Sequence, residues 1–131
     1  MNLPPPNADS APFWAATAED RLLFQRCANC ARAHFPPRAQ CLACGGPLQW
    51  EASSKRGVIH SFTTVQRAPT AAFKARVPYV IALVDLAEGP RLMLNVRDGA
   101  NDPRLGIGAP VRVVFEETED AGRKLPQAVL V

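Results

Sequence analysis

Four cysteines in the spacing C-x₂-C-x₁₀-C-x₂-C, at Cys27, Cys30, Cys41 and Cys44, constrain this chain more than any other feature. Two intervening residues let a tight knuckle turn both sulfurs onto one point, about 2.3 Å from a tetrahedral Zn²⁺. Ten residues between the pairs suffice for a short hairpin, with Pro36, Pro37 and Arg38 midway, where it would reverse. Gly45 and Gly46 follow the second knuckle and can take the positive φ such turns need, whereas the first knuckle has Ala31 there. Four soft ligands close the shell and leave no position for water or substrate, so a structural rather than catalytic Zn²⁺ is expected. His34 then reads as a surface residue of the hairpin. Iron in a rubredoxin-like site is the alternative metal, and a redox dithiol or disulfides are the metal-free alternatives.

At 131 residues the chain suits one compact domain, or two very small ones sharing a surface. A piece of fewer than ~40 residues needs a metal or disulfides to hold it. Thirteen prolines cut the chain into short segments and leave room for one modest helix, which favours a mostly β fold. The first dozen residues lack a basic start followed by an apolar run, and the longest apolar run, YVIALV at residues 79–84, is too short to cross a bilayer. A cytoplasmic protein without membrane contact is expected. In that reducing compartment, close cysteine pairs point to metal rather than disulfides.

Residues 1–10 read as a flexible, proline-rich tail, 11–52 as a helix and ribbon, and 53–131 as a barrel. Ser10 is placed to cap a helix over residues 11–19, with Pro12 in its first turn and Phe13 and Trp14 offering an apolar face. Those two rings have two uses: packing back on the barrel, or anchoring in a partner's groove. Residues 21–26 look extended. From residue 57 β-branched, alternating segments predominate: 57–67, 78–86, 91–96, 110–116 and 127–131. In the first of these, strict alternation sets Val58, His60, Phe62 and Thr64 on one face, with Ile59, Ser61, Thr63 and Val65 on the other. Five strands with a long first one meet the needs of an OB-type barrel, though an open meander also fits the pattern.

Four thiolates and one Zn²⁺ would bring the formal charge from +3 to about +1, which is not the footprint of a general nucleic-acid binder. Residues 51–80 carry Lys55, Arg56, Arg67, Lys74 and Arg76 against Glu51 alone, so an anion-binding surface is expected in the middle third. Arg67, Lys74 and Arg76 bracket a loop. Arginine grasps phosphate with two donors, and Phe73 offers a face for an adenine. These four are candidate coenzyme A contacts. A solvated loop, or one docked on an acidic partner, is the plain alternative.

The runs FWAATAEDRLLFQRCANC, FPPRAQCLACGG, LQWEASSKRGVIHSFTTVQR, PYVIALVDL and IGAPVRVVFEE occur in that order. From about residue 12 onward the chain resembles the OB-fold acyl-CoA-associated family with an N-terminal rubredoxin-like zinc ribbon. It departs from that pattern at Asp20 and Ala31, where members usually have glycine; both departures concern local turns. The resemblance implies a non-catalytic accessory subunit of a thiolase-superfamily acyl-CoA enzyme: a thiolase, a thiolase-fold aldolase, or hydroxymethylglutaryl-CoA synthase. It would support assembly or the handling of coenzyme A thioesters in a heteromeric complex. The residues agree that catalysis lies elsewhere, since no nucleophile elbow, phosphate-cradling loop or paired carboxylates are found. Ser61, His60 and Asp85 form a triad only on paper, because strand neighbours point to opposite faces. The alternative from another class is a single-stranded nucleic-acid binder, as zinc ribbons and OB barrels serve that end too, but exposed aromatics interleaved with Lys and Arg are missing.

Overall fold

The β-branched segments beyond residue 55 close into a barrel in the computed structural model, which describes residues 5, 7–67, 71, 74, 76–120 and 122–131. In chain order the elements are helix α1 (Ala11–Thr17), then strands β1 (Leu23–Cys27), β2 (Ala33–His34), β3 (Leu48–Ala52) and β4 (Arg56–Val65). β5 (Tyr79–Leu86), β6 (Arg91–Val96), β7 (Pro110–Glu117) and β8 (Lys124–Leu130) follow. β2, β1 and β3 make a small antiparallel sheet, and the barrel runs β4-β5-β6-β8-β7, with only the β6–β8 pair parallel. This is the expected mostly-β fold with one short helix, closed as an OB barrel rather than an open meander.

Alternation in β5 sends Val80, Ala82, Val84 and Leu86 inward, where they meet Ile59, Leu92, Leu94, Val96, Val111, Val113, Ala128 and Leu130. Burial of each large aliphatic is worth about 1.5–3 kcal/mol relative to exposure. A bulge between Ile59 and Ser61 breaks the strict alternation expected for β4. Ile59 therefore faces the buried Val84 and Phe62 faces the buried Ala82, which puts both on one side by register, although Phe62 is 38% exposed. Gly57 is required here: a Cβ would sit 2.6 Å from the Asp85 backbone oxygen.

Several elements depart from expectation. β8 begins at Lys124 because Pro126 interrupts nothing: it faces Phe115 of β7, and β6 reaches β8 only at Ala128. β3 was hidden in a five-residue run between two turns. The helix stops at Thr17, and Ser10 gives no side-chain cap; the Asn7 Oδ1 accepts from Asp9 N and Ser10 N at 2.9 Å each.

Phe13 is 5% exposed and joins the barrel core, edge-on to Trp14 and Phe35 at 5.0 and 5.3 Å. The Arg123 guanidinium lies 5.2 Å from the Trp14 ring. The fully buried Thr17 donates its hydroxyl to Trp14 O at 2.6 Å and accepts the Lys124 N–H at 2.9 Å, bolting α1 to β8. The two rings thus pack back on their own fold. The sheets are joined by Glu88, between β5 and β6, whose carboxylate accepts from Ser53 Oγ and Ser54 N at 2.8 Å each. No helix among the described residues is long and apolar enough to cross a membrane.

Candidate metal centre and barrel clefts

The two cysteine pairs fold as copies of one turn. Ala31 N donates to Cys27 O and Gly45 N to Cys41 O, at 3.0 and 2.8 Å; Cys27 N donates to Arg32 O and Cys41 N to Gly46 O, at 2.9 and 3.0 Å. Ala31 and Gly45 both take left-handed backbone, φ 64 and 73. Asp20, the other departure from glycine, does likewise at φ 59. These two departures thus fall at turns that glycine would make without steric cost. Gly46 is needed for closeness, since a Cβ would lie 2.9 Å from Asn29 Cβ and 3.1 Å from Cys27 Sγ.

All four sulfurs lie within 4.8 Å of one another. Cys27 and Cys44 are 3.5 Å apart and Cys30 and Cys41 3.6 Å, near the ~3.8 Å edge of a tetrahedron with ~2.3 Å metal–sulfur bonds. All are free thiols, so the disulfide alternative is set aside. Backbone N–H groups of Asn29 and Cys30 point at Cys27 Sγ, both at 3.4 Å. The Cys30 N–H is the main cause, working against burial, that pulls the Cys27 thiol down to about 6. The Arg32 N–H favours the Cys30 thiolate, but burial and the sulfurs of Cys41, Cys27 and Cys44 outweigh it and push that thiol up to about 11. Sulfurs this close cannot all carry charge unaided, and a divalent cation relieves exactly that crowding. The donor set fits a structural metal held by Cys27, Cys30, Cys41 and Cys44.

His34 is not the plain surface residue expected of it. It is half-buried, with Nε2 3.2 Å from Cys41 Sγ, because β2 pairs with β1 at Gln25↔His34 and sits beside the knuckle. The pattern also gave no sign of Gln25. This buried side chain donates to Arg38 O at 3.0 Å and accepts from Arg38 N at 2.8 Å, clamping the hairpin reversal.

The basic residues of the middle segment have different neighbours. Arg56 lies at the start of β4, opposite Arg112 of β7, and Arg76 is paired with Glu116 at 3.3 Å. Arg67 and Lys74 are exposed, and Phe73 lies outside the described residues. Arg76 lines a cleft of about 610 Å³ together with Tyr79, Asn95, Arg97, Glu116 and Gln127, whereas Arg67 and Lys74 do not line it. Gln127 is 1% exposed; its Nε2 donates to Glu116 Oε2 at 2.7 Å, and its Oε1 is buried without a partner among the described residues. A lone amide within apolar β8 was the signal for it. His60 Nδ1 lies 3.6 Å from Asp85 Oδ2 and 3.2 Å from an Arg91 nitrogen, and no hydrogen bond joins it to Ser61.

Residues 14–51 match the family model for the ChsH2 rubredoxin-like zinc ribbon domain, and residues 50–116 match that for the ChsH2 C-terminal OB-fold domain. The chain belongs to the ChsH2 family. This ChsH2-family chain is 37% identical over 120 residues to a Mycobacterium tuberculosis protein described as a 3-oxo-4,17-pregnadiene-20-carboxyl-CoA hydratase alpha subunit, covering 92% of this chain and 38% of that one. It is 35% identical over 103 residues to a DUF35 domain-containing scaffold protein of Methanothermobacter thermautotrophicus, covering 77% and 76%. Among solved structures, a chain of an "Ltp2-ChsH2(DUF35) aldolase" superposes with a TM-score of 0.83 at 33% identity, covering 98% of both chains. The chain spans little more than a third of the length of the hydratase alpha subunits it matches.

Proposed function

We propose that this ChsH2-family chain is a non-catalytic accessory subunit of a thiolase-superfamily acyl-CoA enzyme, acting in the cytoplasm, with Zn²⁺ as its structural metal. The observation that carries this is the end-to-end likeness to a chain of the Ltp2-ChsH2(DUF35) aldolase. The site chemistry supports it. Four cysteine sulfurs gathered within 4.8 Å suit a closed structural shell, and His60 lies beside Asp85 and Arg91 rather than beside a nucleophile. The decisive experiment is co-purification from native cells with mass spectrometry of what accompanies the chain. A thiolase-fold enzyme in fixed ratio is the expected result; recovery of the chain alone, or with nucleic acid, would sink the proposal.

Within that role the subunit contributes to coenzyme A binding through Arg67, Phe73, Lys74 and Arg76, phosphates on the cations and adenine on the ring. Two features favour Arg76: the Glu116 carboxylate holds its guanidinium at the wall of a polar cleft, and the same cleft is lined by Gln127, whose buried Oε1 has no hydrogen-bond partner among the described residues. Joint Arg67→Ala and Arg76→Ala substitution is expected to weaken acyl-CoA binding by the assembled complex about tenfold, the scale of one lost charge-assisted contact. Unchanged affinity would remove the coenzyme from this subunit while leaving the scaffold role standing.

A further inference from the structure

Residues directly opposite in an antiparallel sheet share a face, with Cβ atoms about 4.5–5.5 Å apart, and like charges placed there are destabilising. Arg56 of β4 and Arg112 of β7 are such a pair, both exposed. Several arginines of this chain meet carboxylates: Arg26 with Glu51 at 3.1 Å, Arg91 with Asp85 at 2.6 Å, Arg104 with Asp102 at 2.9 Å, Arg123 with Asp120 at 2.6 Å. Among the described residues Arg56 and Arg112 have no carboxylate partner. Two arginines are thus placed opposite one another on paired strands, without an ion pair to a carboxylate among the described residues.

The same register places apolar side chains one row away. Val58, 43% exposed, lies opposite Pro110, and Val131 donates its N–H to Pro110 O at 3.3 Å. Ile107 is 79% exposed, in a turn tied to β4 by hydrogen bonds of Gly108 N to Ile59 O and Ile59 N to Ala109 O, at 2.7 and 2.9 Å. On the other flank of Arg112 a groove of about 410 Å³ opens between Lys55, Asp20, Val114 and Phe115. Exposed aliphatics beside arginines suit a protein–protein contact, where arginine is enriched. A small phosphate ligand is disfavoured in that groove by the Asp20 carboxylate among its lining residues.

We propose that the outer face of β4, β7 and β8 is the surface on which an acidic, apolar-centred patch of the enzyme subunit docks, with carboxylates on Arg56 and Arg112 and aliphatic contacts on Val58 and Ile107. The inference rests on the accessory-subunit role and adds where and by what chemistry the contact is made. The test uses the acyl-CoA enzyme subunit recovered from native cells, titrated with the full chain and its variants after matched metal content and melting temperature show each to be folded. Arg56→Glu with Arg112→Glu, and separately Val58→Asp, should weaken assembly about tenfold or more, while Arg32→Glu on the ribbon stays within about twofold. Raising NaCl from about 0.1 M to about 0.5 M should weaken the wild type more than the double Arg→Ala variant. The proposal is overturned if both face variants bind like the wild type. It is equally overturned if the double arginine variant loses affinity for an oligo(dT) single strand but not for the enzyme. Should wild-type chain recover no acyl-CoA enzyme at all, the accessory role fails first and the docking face with it.

Discussion

The ribbon and the barrel are both antiparallel β-structure, yet they are held by different means. Between residues 27 and 47 only Cys27 and Cys41 are buried, and the hairpin is otherwise exposed or half-exposed. Among the described residues the barrel supplies twelve of the fourteen members of the buried apolar cluster; the other two, Phe13 and Leu22, precede the first cysteine. A sheet can therefore be specified by an interior or by a point constraint, and the two should fail separately.

The largest effect follows directly. Metal removal by a strong chelator, or Cys41→Ser, should abolish amide protection in the hairpin from residue 27 to 47, since structural zinc sites carry about 10–16 kcal/mol of binding free energy that is folding free energy. Barrel amides in β5 and β6 should remain protected. Ile59→Ala should do the reverse, lowering barrel stability by ~2–5 kcal/mol without releasing the metal below the melting transition. Hydrogen exchange read alongside native mass spectrometry checks both arms. Loss of ribbon and barrel in one transition on chelation would break the contrast.

The seam between them should show a smaller, pH-dependent effect. Burial works to raise the pKa of Glu88, but hydrogen bonds from the Ser54 N–H and Ser53 hydroxyl outweigh it and hold it below its ordinary 4.5. A carboxyl lowered on folding contributes stability that is full above its unfolded pKa and lost as pH falls through the folded one. Glu88→Gln should cost on the order of 1–3 kcal/mol at neutral pH. The wild-type advantage over the variant should shrink steadily below pH 4.5. Asp85 is also lowered, first by the hydrogen bond from Arg91, so the difference between wild type and variant is the quantity to follow. A gap that stays constant into acid would mean that the carboxylate does not carry the seam.

What could be read from the sequence divides along the same line. The metal site was legible because ligand chemistry is local: two C-x₂-C turns and a hairpin of stated length define it. The barrel strands were legible because β-branched alternation marks them. What escaped depends on partners far apart in sequence. Gln25 reaching Arg38, His34 beside Cys41, Glu88 bridging to Ser53, and Arg56 facing Arg112 are consequences of how strands and turns are brought together, and between β4 and β5 a single bulge further shifts the register by one residue. Charge counted along the chain pooled Arg56 with Arg76, whereas the fold gives Arg56 an arginine neighbour and Arg76 the carboxylate of Glu116.

The smallest effect concerns the knuckles themselves. Ala31 and Gly45 occupy equivalent turns at φ 64 and 73, and a Cβ on Gly45 would meet nothing within 4 Å. Steric crowding by neighbours is thus absent, leaving only backbone strain, which costs an L-residue roughly 1–2 kcal/mol in this region. Glycine gives back about 0.4–1 kcal/mol of that through the freedom of its unfolded chain. Ala31→Gly should therefore stabilise the ribbon by no more than about 1 kcal/mol, and Gly45→Ala should destabilise it by a similar amount. The readout is the rate of metal release to a chromogenic chelator, slower in the first variant and faster in the second, with the barrel melting temperature unmoved. Both variants shifting in the same direction would show that the knuckles are not equivalent. A change in barrel melting would show that the ribbon is not an independent unit.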